Sequence, residues 1–225
     1  LLNQLEQVWA QVQALDQGAR GEVRMGFVGS AMQAVIPDLM VRMNKEFPGI
    51  NFSLAEIAIN HQINALQDGV LDIGFVRIDR APAGMVMLPV EEDHFSLVLP
   101  ADHPVGPDNF RDMSQFREEH FIMFSSSYSP TYYDTVMSIC EDNGFRPRVS
   151  HKSVHANTIF RLVECGLGVA IIPDGFRQGF SLNVKFIELL KIPQRTVLSA
   201  IWRQDNRNPA LGKLVEMLRR RERRD

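Results

Sequence analysis

A chain of 225 residues, 45% hydrophobic and 23% charged, has the composition of an ordinary globular protein. It is long enough to bury a core as one large α/β domain or two small lobes. Its net charge of -3 excludes a general electrostatic attraction to nucleic acid. The basic run Arg219-Arg220-Arg221-Glu222-Arg223-Arg224 reads as a solvated, frayed helix end, because chain ends fray.

The first segment is helical. Leu1, Leu5, Val8, Val12 and Leu15 follow a 4-3-4-3 spacing, the a/d seam of a coiled coil. Two heptads also fit an amphipathic helix docked on its own domain. Gly18 and Gly21 end this helix and act as a joint. Leu1 in place of methionine suggests that further residues precede it, and no secretion leader or membrane-length apolar run is seen.

Glu22 to Ser30 is predicted as a buried strand and Met32 to Phe47 as one helix, with Pro37 tolerable only near its first turns. Ile50–Ile59 follows as a strand, 62–67 as a helix and 71–78 as a strand. This βαβαβ order implies parallel strands with right-handed crossovers. Two strand-like runs occupy 86–99. A second cycle then places strands at 120–124, 148–154, 169–172, 184–189 and 196–202, with helices at 131–142, 158–164 and 211–220.

Cys140 and Cys165 form no CxxC or metal spacing, and as isolated buried thiols they fit a reducing compartment. His151 and His155 are four apart but lack the HExxH context of a metal helix. Gly166-Leu167-Gly168 lies between helix and strand, the wrong order for a dinucleotide loop. No serine elbow, Walker loop or paired catalytic carboxylates can be picked out, which leaves open a triad assembled from distant parts of the chain.

Two turns carry the ligand chemistry. Gly29-Ser30 stands between a strand and a helix, where free amides and the positive dipole end favour an anion. Ser30 fits a helix cap equally well. The hydroxyl-rich stretch Ser125-Ser126-Ser127-Tyr128-Ser129-Pro130-Thr131 holds the equivalent place in the second cycle, and it reads either as a solvated loop or as a second anion contact. Arg77, at a strand end, could pair a ligand carboxylate in bidentate fashion or as easily pair Asp79 or another acid.

Taken in order, several pieces resemble the effector-binding domain of LysR-type transcriptional regulators with its linker helix. They are Gly26-Phe27-Val28-Gly29-Ser30, Ile36-Pro37-Asp38-Leu39, Phe47-Pro48, Glu56 with Gln62 and Ala65-Leu66, and Leu71-Asp72-Ile73-Gly74-Phe75. Leu99-Pro100-Ala101-Asp102-His103-Pro104 and Gly166-Leu167-Gly168-Val169-Ala170-Ile171-Ile172-Pro173 complete the set. The resemblance covers essentially the whole chain.

It implies an α/β fold of two Rossmann-like subdomains joined by crossover strands, as in type 2 periplasmic binding proteins. The linker and dimerisation helix would be residues 1–21, subdomain I 22–98 with 195–225, and subdomain II 99–194. Leu1, Leu5, Val8, Val12 and Leu15 would pair two subunits of a homodimer or tetramer. DNA would be bound only through a winged helix-turn-helix preceding this sequence. The implied protein is a cytoplasmic, non-enzymatic transcription regulator with no cofactor, metal or membrane partner, holding a small organic acid between its lobes.

The branch that it resembles most senses aromatic acids and their muconate-type ring-cleavage products. By that likeness Ser30, Pro130, Thr131 and Tyr132 would hold the effector; Gly29 and Ser127 are further candidates from the two turns, and Arg77 would supply positive charge at the rim. The branch's first-lobe threonine corresponds to Ile59, which has no hydroxyl, and its second-lobe asparagine and phenylalanine to Thr131 and Tyr132. The rival reading is a solute-binding protein for an organic acid, which would need a secretion signal and has no use for a dimerising helix.

Overall fold

A computed structural model describes residues 18–179 and 181–222. The dimerisation seam Leu1, Leu5, Val8, Val12 and Leu15 lies outside the described residues. The described residues form two compact units. The first takes the stretch up to Val76, Arg80–Val90 and the stretch from Ser199 onward, and the second takes Arg77–Asp79 and Glu91–Leu198.

In the first unit, β1 (Arg20–Phe27) leads through one residue into α1 (Gly29–Ala34) and α2 (Ile36–Glu46). The single helix expected over 32–47 is thus two. The break falls at Val35, at φ -122°, because in a continuous helix Pro37 would have no N–H for the Gln33 carbonyl and its ring would crowd that group. Pro37 instead occupies the first turn of α2, where a missing donor costs nothing.

The chain continues through β2 (Gly49–Glu56), α3 (Ile59–Gln67), β3 (Ile73–Val76) and β4 (Met85–Asp93), then returns in β10 (Thr196–Arg203) and α6 (Pro209–Glu222). The sheet order is β2-β1-β3-β10-β4. β1 is parallel to β2 and β3, and β10 is antiparallel to β3. Val23, Met25, Ile73, Phe75 and Leu214 are fully buried.

The second unit repeats this plan. Its elements are β5 (Phe95–Pro100), β6 (His120–Phe124), α4 (Pro130–Asp142), β7 (Arg148–Ser153), α5 (Ala156–Glu164), β8 (Ala170–Pro173) and β9 (Val184–Glu188). β5 is antiparallel to both β8 and β9, and β6 is parallel to β7. A single parallel bridge, Phe121 to Val169, links β6 to the chain entering β8. The division expected after residue 98 falls instead at Val90/Glu91, because β5 spends its hydrogen bonds on β8 and β9. The return falls at Leu198/Ser199, within β10.

Both βα repeats end their second helix in the same way. Gly69 (φ +71°) and Gly166 (φ +74°) adopt the left-handed conformation. Gly69 N–H bonds Leu66 O and Val70 N–H bonds Ala65 O, while Gly166 and Leu167 bond Val163 and Leu162 likewise. This is the Schellman arrangement, in which orphan helix carbonyls find donors. Cys140 is buried, which pushes its thiol up to about 12 with a further contribution from Glu141. Cys165, expected to be buried, is exposed because it caps α5 at the surface. No described helix is long and apolar enough to cross a membrane.

Candidate functional site

In the first unit the candidate turn begins where β1 ends. Val28 stays extended (φ -88°, ψ 146°) and is the N-cap of α1, with its N–H on Phe75 O at 3.0 Å. Ser30 is therefore inside the helix and not its cap. It is 3% exposed, and no acidic residue occupies the first turn. Ile59, at the start of α3, is buried and apolar.

In the second unit β6 ends at Phe124, and a compact turn follows. Ser125 N–H bonds Ser153 O, and the Tyr128 and Ser129 amides both bond Ser125 O. The Ser125 and Ser127 hydroxyls meet at 2.7 Å, and the Ser127 N–H also reaches Ser125 Oγ. Ser127 is exposed, whereas Ser129 is buried at the N-cap of α4. Pro130 opens α4, again with no acid in its first turn. The first amides of a helix lie beyond its own hydrogen-bond pattern, so Thr131 and Tyr132 present N–H groups at the end of a parallel strand pair.

The Tyr132 hydroxyl does not present itself in this way. The side chain is buried, and its Oη donates to Ile171 O at 2.6 Å. Burial raises its pKa well above the usual phenol value, while the Phe124 backbone N–H directed at the same oxygen acts in the opposite sense.

Arg77 also departs from expectation. It is 4% exposed and not on a rim. Its Nη1 donates to Thr196 Oγ1 at 3.1 Å, and its Nη2 lies 3.7 Å from Asp93 Oδ2. Burial pushes its pKa down, and the charges of Asp93 and Glu91 pull it back. Asp93 additionally accepts the Gly175 N–H at 3.0 Å. The sequence left the partner open, as Asp79 or another acid, and did not single out Asp93. Asp79, the partner considered from sequence, is only two residues away along the chain.

The first unit carries a contrasting pair at the other end of its parallel strands. Arg24 Nε and Nη2 bond both oxygens of Asp72 at 3.0 Å, and the Arg24 N–H adds a third bond. Burial raises the Asp72 pKa, but the bonds from Arg24 and Asn208 outweigh it and hold the carboxyl below the usual range. Among the described residues no group of three or more His, Cys, Asp or Glu side chains could hold a metal ion. His151 is exposed, with its ring 3.0 Å from Ser150 Oγ.

Residues 16–223 match the LysR substrate binding domain family, and the chain belongs to it. It is the effector-sensing domain of a LysR-type transcription regulator. Relatives include AlsR of Bacillus subtilis strain 168, 26% identical over 95% of this chain and 72% of its own length. TtuA of Agrobacterium vitis is 30% identical over 87% of this chain and 66% of its own. CatR of Pseudomonas putida is 28% identical over 83% and 64%. All three are named as HTH-type transcriptional regulators, and none as an enzyme.

The fold is shared with CbnR, a LysR family regulator, at a TM-score of 0.84 and 19% identity, covering 96% of this chain and 75% of that one. It is shared too with the BenM effector binding domain with its effector benzoate, at 0.76 and 22%, covering 88% and 90%. The type 2 periplasmic-binding-like α/β fold implied by the sequence is therefore the observed one.

Proposed function

We propose that this chain senses a small carboxylate, and that binding shifts the DNA contacts of a winged helix-turn-helix preceding it. The two units correspond to the two regulatory subdomains. Subunits pair through Leu1, Leu5, Val8, Val12 and Leu15, and the regulator works in the cytoplasm without catalysing a reaction. The mechanism is a population shift, in which the acid favours the state that it binds better.

One observation carries the carboxylate reading. In each unit a strand with a parallel neighbour runs into a helix with a hydroxyl side chain in its first turn, Ser30 or Thr131, and no acid there. Strand carboxyl ends and helix amides are where open α/β sheets hold anionic ligands. Gly29 and Ser30 supply the contacts in the first unit, and Ser127, Pro130 and Thr131 those in the second. Arg77, buried against Asp93, contributes field and not direct contact. The benzoate of the BenM domain supports an aromatic acid as the first probe.

The test is thermal denaturation with benzoate, muconate and a phosphorylated metabolite, for the parent chain and for Ser30→Ala and Thr131→Ala. Ligand at 100 times its Kd stabilises by about 2.7 kcal/mol, which raises the Tm of a chain of this size by roughly 5–10 °C. One acid should give that rise, and both variants should lose most of it. No rise with any carboxylate would overturn the acid-sensing reading.

A further inference from the structure

Tyr132 replaces a rung of the β-ladder. Between β6 and the chain entering β8, the Val169 N–H bonds His120 O and the Ile122 N–H bonds Val169 O, both at 2.8 Å. A parallel ladder continuing in this register next pairs the Phe124 N–H with the Ile171 C=O. The Tyr132 hydroxyl takes that carbonyl instead, donating to Ile171 O at 2.6 Å. Among the described residues the first unit contains no such wedge. There β1 and β3 stay in register from Met25/Ile73 to Phe27/Phe75, whereas β6 and β8 retain only the Phe121–Val169 bridge.

The ring is held as firmly as the hydroxyl. It meets Phe124 edge-on, with centroids 5.1 Å apart at 82°, and lies 6.5 Å from Phe95. Tyr132 is the third residue of α4, directly after Pro130 and Thr131. Fixing its ring and oxygen fixes the first turn of the helix relative to the two strand ends.

The geometry points to Tyr132 as a positioning residue for the second-unit turn: its hydroxyl holds β6 and β8 apart and sets where the Thr131 amide and hydroxyl are presented. This rests on the carboxylate-sensing reading above. Its hydroxyl makes no bond to the acid, so the ligand is recognised at this turn through Thr131 and backbone amides. A side chain shortened to phenylalanine keeps the wedge's bulk but leaves the Ile171 C=O without its partner, and the strands cannot close around the retained ring.

Two measurements on Tyr132→Phe test this. The first is hydrogen exchange of the ligand-free chain. Amides at Phe124 and at 131–133 should exchange faster, with those of β1 and β3 unchanged. Unaltered protection at Phe124 would mean that the strands had zipped directly, and would overturn the proposal. The second is titration with benzoate and with muconate, whichever binds the parent chain.

Tyr132→Phe should weaken binding roughly tenfold, and that loss should shrink in a Thr131→Ala background, because the tyrosine acts through Thr131. Full additivity in the double variant, a sign of general destabilisation only, would overturn it. If neither acid binds the parent chain, the acid-sensing reading fails, while the exchange result still decides the wedge.

Discussion

The two units share a ladder register and differ in what fills it. Asp72 N–H bonds Arg24 O in the first unit as Val169 N–H bonds His120 O in the second, and the glycine caps at 69 and 166 align the preceding helices. On that register Gly26, Gly74 and Gln62 correspond to Ile122, Ile171 and Ile159. In the first unit Gly26 lies opposite Gly74, and a Cβ on Gly74 would stand 2.8 Å from Gln62 Oε1. The glycine pair makes room for a fully buried amide whose Nε2 donates to Ile57 O at 2.9 Å. The second unit fills the same place with three fully buried isoleucines and braces its strand end with Tyr132. One topology thus carries a different buried polar group against each strand pair, each ending on a backbone carbonyl.

The largest expected effect tests the register itself. Gly168 corresponds to Leu71, yet only Gly168 takes φ +152°, and a Cβ there would lie 2.4 Å from His120 O. The obstacle is backbone and cannot rotate away. Gly168→Ala should cost about 4 kcal/mol or more, placing it in the range reserved for severe lesions. Urea unfolding would measure this, and a cost under about 1 kcal/mol would mean that the chain before β8 is free to move off β6.

The ion pairs sharpen the contrast by burial. Arg77 and Asp93 have side chains 5% and 7% exposed, while Arg24 is 43% exposed against 5% for Asp72. Removing one member of a buried pair leaves a desolvated charge, so Asp93→Ala should cost about 3 kcal/mol. Asp72→Ala should cost less, since Arg24 can turn to water. Asp72 also sets an acid limit. Its folded pKa is depressed, so its contribution is complete above the unfolded value of about 3.9 and disappears as pH falls through the lower folded value. Stability measured from pH 5 down to pH 2 should therefore fall less steeply in Asp72→Asn than in the parent chain.

Local features were legible in the sequence. β6 has the predicted bounds His120–Phe124, the caps at Gly69 and Gly166 follow from glycine after an apolar helix, and the order of elements indicated parallel strands. Non-local ones were not. The partner of the Tyr132 hydroxyl is a carbonyl 39 residues away, and a phenol beside a hydroxyl-rich turn gives no sign that its oxygen faces the sheet. Arg77 read as a strand-end charge because its burial depends on Asp93 and Thr196 arriving from distant parts of the chain. The split of the first helix was half visible: Pro37 marked the place, but its rule allows a start as well as a kink. Gln62 was seen only as part of a resemblance, although Gly26 and Gly74, glycines in two buried strands, signal that something approaches the backbone closely.

That last signal yields the smallest and most discriminating prediction. If the glycine floor exists for the Gln62 amide, its tolerance for a methyl group should depend on that side chain. Gly74→Ala pushes against Gln62 Oε1 first, then Leu66 Cδ1 at 3.2 Å and Ile201 Cγ1 at 3.4 Å, and should cost about 1–3 kcal/mol by overpacking. Gln62→Ala removes the amide and opens a void, with a similar cost of its own. In the double variant the new methyl enters the vacated space, so the two losses should fall short of additivity by roughly 0.5–3 kcal/mol. Strict additivity would show that Gly74 is required by its other neighbours. The first unit's polar brace would then be an occupant of the gap and not the reason for it.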